Sequence, residues 1–323
     1  VKDTGYTDTG LRTGTSYTYT VRAYREVNGK EVLGGYDNKG IAGKPALDTV
    51  KLGKASSVSY SQVKVTWSAV PGATGYYVFR KSGSSWKTLK TVKTTNYTDT
   101  GLTTNTSYTY TVRAYRTVNG KNILGGYDNK GITGKPVLGT VKLGRVYSND
   151  YNKVKITWAS LSGATGYRVY RKSGDSWKLL KQLGKTNYYV DAGLTTGTSY
   201  TYTVRAYRKV GGKTYWGSYS GAGITGKPTL ATPKLGKVSS SSKGLTVTWG
   251  TASGSTGYIV YRKTAGSSWT KLAVVTGATK SSYVDAKATK NTKYIYTVKA
   301  YRKVGSKHVY SSYNATGIAG TRK

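Results

Sequence analysis

The 323 residues contain no Cys, no Met, one Phe, one His and only five Pro. Without Cys there is no disulfide, no thiol nucleophile and no zinc-thiolate site. A single His, His308, excludes a poly-His metal site and leaves residues 1 to 229 without any His-containing triad. No run of about 18 apolar residues is present, so no transmembrane helix is expected, and no charged-then-apolar leader opens the chain. Acids are scarce as well. Asp and Glu total 12 against 51 Lys and Arg, a formal net charge of +39. Paired carboxylates, the usual equipment of an acid-base enzyme, are therefore not expected to converge, and the chain reads as non-catalytic, with no cofactor and no metal.

What remains is rich in Gly, Ser, Thr and Tyr, and its core must be built from Val, Leu, Ile, Ala, Tyr and Trp, a strand-forming inventory. The segment Tyr17 to Arg25 returns at Tyr108 to Arg116, at Tyr200 to Arg208 and, altered, at Tyr294 to Arg302, at intervals of 91, 92 and 94 residues. Trp67, Trp158 and Trp249 keep an interval of 91. A period of that length is a whole domain rather than a solenoid turn. Gly-Lys-Pro at 43 to 45, 134 to 136 and 226 to 228 marks the boundaries, giving modules at 46–137, 138–229 and 230–323. Residues 1–45 match 92–136 at 37 of 45 positions, so they read as the second half of a module whose first strands precede Val1 or come from another chain.

Within a module the apolar pattern alternates. Val63, Val65 and Trp67 share one face, and Tyr76 with Val78 another. A third run holds Trp86, and a long fourth run places Tyr108, Tyr110, Val112 and Ala114 inward. Asn119-Gly120, with Asn28-Gly29 and Gly211-Gly212 at equivalent places, predicts a two-residue hairpin turn, so that the last two strands form an extended hairpin. Asp8, Asp99, Asp191 and Asp285 recur before a turn and are expected to bond turn amides. Asp37 and Asp128, in Gly-Gly-Tyr-Asp-Asn-Lys-Gly, suggest at most a weak cation loop, and His308 a solvated turn residue.

Leu102-Thr-Thr-Asn-Thr-Ser-Tyr108-Thr-Tyr110-Thr-Val112-Arg-Ala114 resembles the fibronectin type III signature, and residues 163 to 172 resemble the version found in repeated surface-protein tails of Gram-positive bacteria. The resemblance implies an all-β array of seven-stranded sandwiches arranged as an elongated rod, exported to the cell surface or wall and attached to other domains upstream. A stalk or spacer with an adhesive role is the expectation. Anionic cell-wall polymer, acidic polysaccharide or nucleic acid are candidate partners through charge, and self-association into filaments is a further alternative.

Strand parity adds a candidate binding surface. If Tyr110 and Val112 face inward, Arg113 and Tyr115 face outward, beside Tyr77, Phe79 and Lys81 of the neighbouring strand. The next module offers Arg168, Tyr170, Lys172, Arg205 and Tyr207, and the last offers Tyr261, Lys263, Lys299 and Tyr301. Rings interleaved with cations can stack sugars or bases while holding acidic groups. The same pairs also serve as cross-strand structural support. Trp86, Trp177 and Trp269 are read as sheet-border packing or as sugar platforms.

Overall fold

Alternating β-branched and aromatic runs with few helix formers produce strands throughout, and the computed structural model, which describes all 323 residues, contains strands and turns but no helix. Its contacts divide the chain into two compact units, Val1–Leu138 and Gly139–Lys323.

Residues 1 to 45 carry β1 (Tyr17–Tyr19), β2 (Tyr24–Val27), β3 (Lys30–Leu33) and β4 (Ile41–Gly43), in two two-stranded pairs, β1 with β4 and β2 with β3. The first full repeat follows with β5 (Leu52–Ser59), β6 (Gln62–Trp67), β7 (Gly75–Ser82), β8 (Ser85–Val92), β9 (Asn96–Asp99), β10 (Tyr108–Val118), β11 (Lys121–Leu124) and β12 (Ile132–Gly134). A three-stranded sheet, β5-β6-β9, faces a five-stranded sheet in the order β11-β10-β7-β8, with β12 also paired to β10. Every pairing is antiparallel. The same eight strands and the same two sheets recur between Leu143 and Gly226 and between Leu235 and Thr321.

The core lies between the sheets. Val63, Val65, Trp67, Tyr76, Val78, Tyr110, Val112 and Ala114 are buried there in the first repeat, the set that alternation assigned to the inner faces. The Trp67 and Tyr76 rings meet edge to face at 5.6 Å, a geometry that favours aromatic pairs beyond their buried area. Asn119 and Gly120, with φ of 50° and 75°, make the tight turn between β10 and β11. In residues 1 to 45 the matching inner face lies open, with Val21 81% exposed where Val112 is 0%.

Tyr108 departs from the inward expectation in part. It is half-buried, and its hydroxyl accepts the Thr103 amide at 3.0 Å, pinning the turn that leads into β10. Tyr17, Tyr200 and Tyr294 do the same for Arg12, Thr195 and Thr289.

The recurring Asp has a larger part than capping a turn. Asp99 closes β9 in the smaller sheet, and its Oδ2 accepts the Tyr110 hydroxyl at 3.0 Å and Arg80 Nη1 at 2.7 Å, both from the larger sheet. One carboxylate thus ties the two layers together. Asp191 with Tyr202 and Arg171, and Asp285 with Tyr296 and Arg262, repeat the arrangement. Burial, then the charge and hydrogen bond of Asp99, push the Tyr110 hydroxyl far above its ordinary range. Burial alone would push the Arg80 guanidinium down, but the bonded carboxylate outweighs it and holds it above its usual value.

The final strand of each repeat is broken, so the extended hairpin is shorter than expected. Residues 125 to 131 leave the ladder between β11 and β12, and outward side chains of β10 replace the missing backbone bonds. Thr111 Oγ1 donates to the Asp128 carbonyl at 2.7 Å and Arg113 Nε to the Gly125 carbonyl at 2.7 Å. Thr203 and Arg205 bond Ser220 and Gly217 likewise, and Thr297 bonds Asn314. Asp128 Oδ1 accepts the amides of Lys130 and Gly131, as Asn314 Oδ1 does for Thr316 and Gly317. That is an Asx turn, a use that Asn fulfils as well as Asp and that accounts for the residue without a cation.

Within residues 139 to 323 the two repeats meet around Tyr151 and at a second contact beside it. Tyr151, in the turn between the first two strands of its repeat, lies under the Arg302 guanidinium at 4.5 Å and packs against the core of the next repeat. Arg302 Nη1 also donates to the Gly254 carbonyl at 2.6 Å. Gly197 faces Val309 across the same joint, a Cβ there falling 3.1 Å from the valine.

Candidate functional site

The outer face of each five-stranded sheet carries the residues that parity brought together. Register pairs Thr111 with Phe79, Arg113 with Tyr77 and Tyr115 with Gly75. Tyr77, Phe79 and Arg113 are half-buried on this face and Lys81 is exposed. In the second repeat Arg168, Tyr170 and Arg205 are half-buried and Lys172 exposed, and in the third Tyr261, Lys263 and Lys299 are half-buried.

Tyr115, Tyr207 and Tyr301 correct the expectation of solvent exposure, since they are only 8%, 6% and 7% exposed. Each stands directly across from a glycine, Gly75, Gly166 or Gly257, and its ring lies flat over the space a side chain would fill. A Cβ on those glycines would sit 2.7, 2.6 and 2.6 Å from the phenol oxygen. The tyrosine covers sheet backbone that glycine leaves bare, and it is not available as a platform. Neighbours complete the cover: Tyr77 at 4.8 Å from Tyr115, Trp216 at 5.4 Å from Tyr207, and His308 at 5.4 Å from Tyr301. His308 is thus a strand residue, edge-on to Tyr301 and stacked on Tyr310, not a turn residue.

The available surface lies further along the same face. Phe79, Trp86, Thr111, Arg113 and Tyr127 line a shallow notch of about 100 Å³. Tyr261, Trp269, Lys299 and Tyr313 line its counterpart in the third repeat, also about 100 Å³. Tyr127 and Tyr313 enter these notches from the broken strand and Tyr219 holds the equivalent place in the second repeat; the three residues, Tyr127, Tyr219 and Tyr313, remain 38%, 43% and 39% exposed. Sequence reading missed these three because they lie outside any alternating run. Their once-per-repeat recurrence in the Gly-Tyr or Ser-Tyr loop was the signal that could have found them.

Cations lie over the rings. Arg113 is 5.5 Å from the Tyr127 centroid, Arg205 is 5.6 Å from those of Trp216 and Tyr219, and Lys299 is 4.9 Å from Tyr313. Lys81 and Lys263 stand over Trp86 and Trp269 at 5.9 and 4.8 Å. Each Trp rests its far edge on a glycine, Gly131, Gly223 or Gly317, where a Cβ would fall 2.9, 2.8 and 2.7 Å from the ring. Those glycines have φ of 67°, 67° and 69°, so neither the conformation nor the space admits another residue without strain.

A larger hollow of about 380 Å³ lies beside Tyr167, walled by Ser160 to Ala164 and Lys185 to Asn187. It has one charged side chain and no repeated aromatic wall, so it does not compete with the notches as a recognition surface. No three His, Cys, Asp or Glu residues lie together.

No family model matches the chain. It is 32% identical over 256 residues to Exoglucanase B of Cellulomonas fimi, covering 72% of this chain and 22% of that enzyme. It is 29% identical over 217 residues to Endoglucanase B of Cellulomonas fimi, covering 61% of this chain and 20% of that enzyme. The chain thus spans about a fifth of the length of the curated relatives it matches. Among solved structures it is similar to the FN1–FN3 domains of chicken CNTN1, with 20% identity, a TM-score of 0.28 and coverage of 86% of this chain and 99% of that one. A three-stranded sheet closed by Asp and a four-strand path with the broken last strand beside it decide the fold. The repeats are fibronectin type III-like sandwiches. Their ionisable groups are partly spent within that fold: the recurring Asp is bonded by Tyr and Arg, and the outward Arg113 gives its Nε to the broken strand while its terminal N–H groups stay on the outer face.

Proposed function

We propose that this chain is a non-catalytic extracellular spacer, in which fibronectin type III-like modules at 46–137, 138–229 and 230–323, behind the half module 1–45, separate other domains of one polypeptide. The observation that carries this is the extent of the two matches. A segment of about a fifth of the length, common to an enzyme named for exo action and one named for endo action, accounts for neither action by itself. The buried carboxylates support the same reading, since each is already bonded to a Tyr and an Arg and is walled from substrate. The extracellular part of the reading is supported by the same relatives, named for exo and endo action on glucan, a polymer too large to enter a cell intact. Incubation of the chain with soluble β-glucan, followed by a reducing-end assay, is expected to release nothing above buffer. Release that scales with protein would end the proposal.

A second reading, adhesion to anionic polymers, is favoured by the charge. In residues 230–323 there are 16 Lys and Arg against one acid, Asp285, and that acid is bonded to Arg262. Such a field concentrates polyanions near the surface at low salt and is screened over about 8 Å at physiological ionic strength. Cell-wall polymer and acidic polysaccharide fit it. Retention on an anionic column that is unaffected between 50 and 500 mM salt, to name roughly the window over which screening acts, would remove it.

A further inference from the structure

Charge alone does not explain why the first and third full repeats also build an aromatic notch of the same lining, or why the second places the equivalent rings on its outer face. Three features set this arrangement apart from a general basic surface. The Trp is seated on a glycine that no other residue can replace without strain, in all three full repeats. The Tyr is held outward by a strand break that Thr and Arg or Ser side chains maintain, at a residue exposure near 40%. Drift between repeats conserves the chemistry while changing the residue: Phe79 becomes Tyr170 and Tyr261, and Arg113 becomes Arg205 and Lys299. A cation over a ring face remains beside an open ring in each.

At about 100 Å³ the notch is too shallow to engulf a ligand and suits contact with one face of a flat or chair-shaped ring. The rings supply C–H stacking, and Lys263, Lys299 or Arg113 supply N–H donors to an acidic substituent. In the third repeat no uncommitted carboxylate is present to compete for those donors. We propose that these notches are binding sites for acidic polysaccharide, each taking one pyranose ring that bears a carboxylate, and that the array binds by summing weak sites along one polymer. This rests on the extracellular reading above, and it adds the ligand class and the residues.

The test uses the full chain and three polymers in affinity electrophoresis: polygalacturonate, which has rings and charge; its methyl ester, which has rings without charge; and polyphosphate, which has charge without rings. The variant is Tyr127→Ala, Tyr219→Ala and Tyr313→Ala together. It leaves net charge unchanged and removes exposed rings only, and an unaltered thermal melt confirms that it folds. Polygalacturonate is expected to retard the wild-type chain more than its ester does, and the triple variant is expected to lose roughly tenfold or more of that affinity, as summed weak sites require. Polyphosphate binding is expected not to change. Equal loss for polygalacturonate and polyphosphate, no loss for either, no binding of polygalacturonate, or equal binding of the ester would each overturn the assignment. None of those outcomes touches the spacer reading, which the reducing-end assay decides. Substituting Lys263→Gln and Lys299→Gln gives the converse arm, in which the preference for polygalacturonate over its ester is expected to narrow.

Discussion

Raising the pH titrates the bond that joins the two layers of each sandwich. Tyr110, Tyr202 and Tyr296 are fully buried and donate to a carboxylate, and burial together with that carboxylate raises all three hydroxyls well above the ordinary value near 10. Below pH 10 the folded and unfolded chains both hold these protons, and stability does not depend on them. Above it the unfolded chain releases them while the folded chain keeps them, so stability falls as pH rises. One proton per repeat corresponds to a slope of about 1.4 kcal/mol per pH unit, or about 3 kcal/mol between pH 10 and 12, against a total near 5–10 kcal/mol for a domain of this size. Urea unfolding at pH 9, 10, 11 and 12, followed by fluorescence of the buried Trp67, Trp158 and Trp249, measures it. Tyr97 and Tyr189 are also raised by burial, so the diagnostic quantity is a difference. The triple variant Tyr110→Phe, Tyr202→Phe, Tyr296→Phe keeps those other groups and lacks the three titrating hydroxyls with their bonds to Asp, a loss that offsets stability at every pH and leaves the slope as the readout. Wild type is expected to lose stability faster than the variant by about 1.4 kcal/mol per pH unit in each repeat. Parallel slopes would refute the account.

Asp191→Ala at pH 7 leaves the Tyr202 hydroxyl and Arg171 without their common acceptor, and a loss of about 3 kcal/mol is expected in the unfolding free energy of that repeat, measured by urea titration. Gly166→Ala places a methyl against the Tyr207 ring and the Leu183 carbonyl, and overpacking of this kind should lower stability by about 1–3 kcal/mol, read by calorimetry. Tyr151→Ala should leave each repeat folded yet broaden the distance distribution between spin labels in the two repeats of residues 139–323, while Tyr151→Phe, which retains the ring under Arg302, should not. Pulling single chains should give three unfolding steps, each lengthening the chain by roughly 30 nm, the extended reach of about 90 residues. One step of triple length would contradict the modular boundaries.

Alternation made most of the core legible. Val63, Val65 and Trp67 needed only the period of a strand, and Asn119-Gly120 needed only the rule that both turn positions take positive φ. Parity failed at Tyr115 because it counts along one strand and is blind to what stands across the ladder; only the register with Gly75 shows that the ring has a gap to cover. Asp99 looked like a turn residue because its partners lie 11 and 19 positions away on other strands, a distance that spacing rules do not span. The strand break was hidden for the opposite reason. Thr111 and Arg113 fit an ordinary ladder equally well, and nothing in their identity announces that their side chains stand in for backbone.

The layer-spanning Asp, Tyr and Arg, the glycine-seated Trp and the broken strand with its braces all fall inside a single period of 91 to 94 residues. A gene encoding such a protein can gain or shed copies by unequal recombination anywhere in the period, because every crossover in register rebuilds a whole sandwich from two compatible parts. Array length is then free to change, with no compensating change required in any interior.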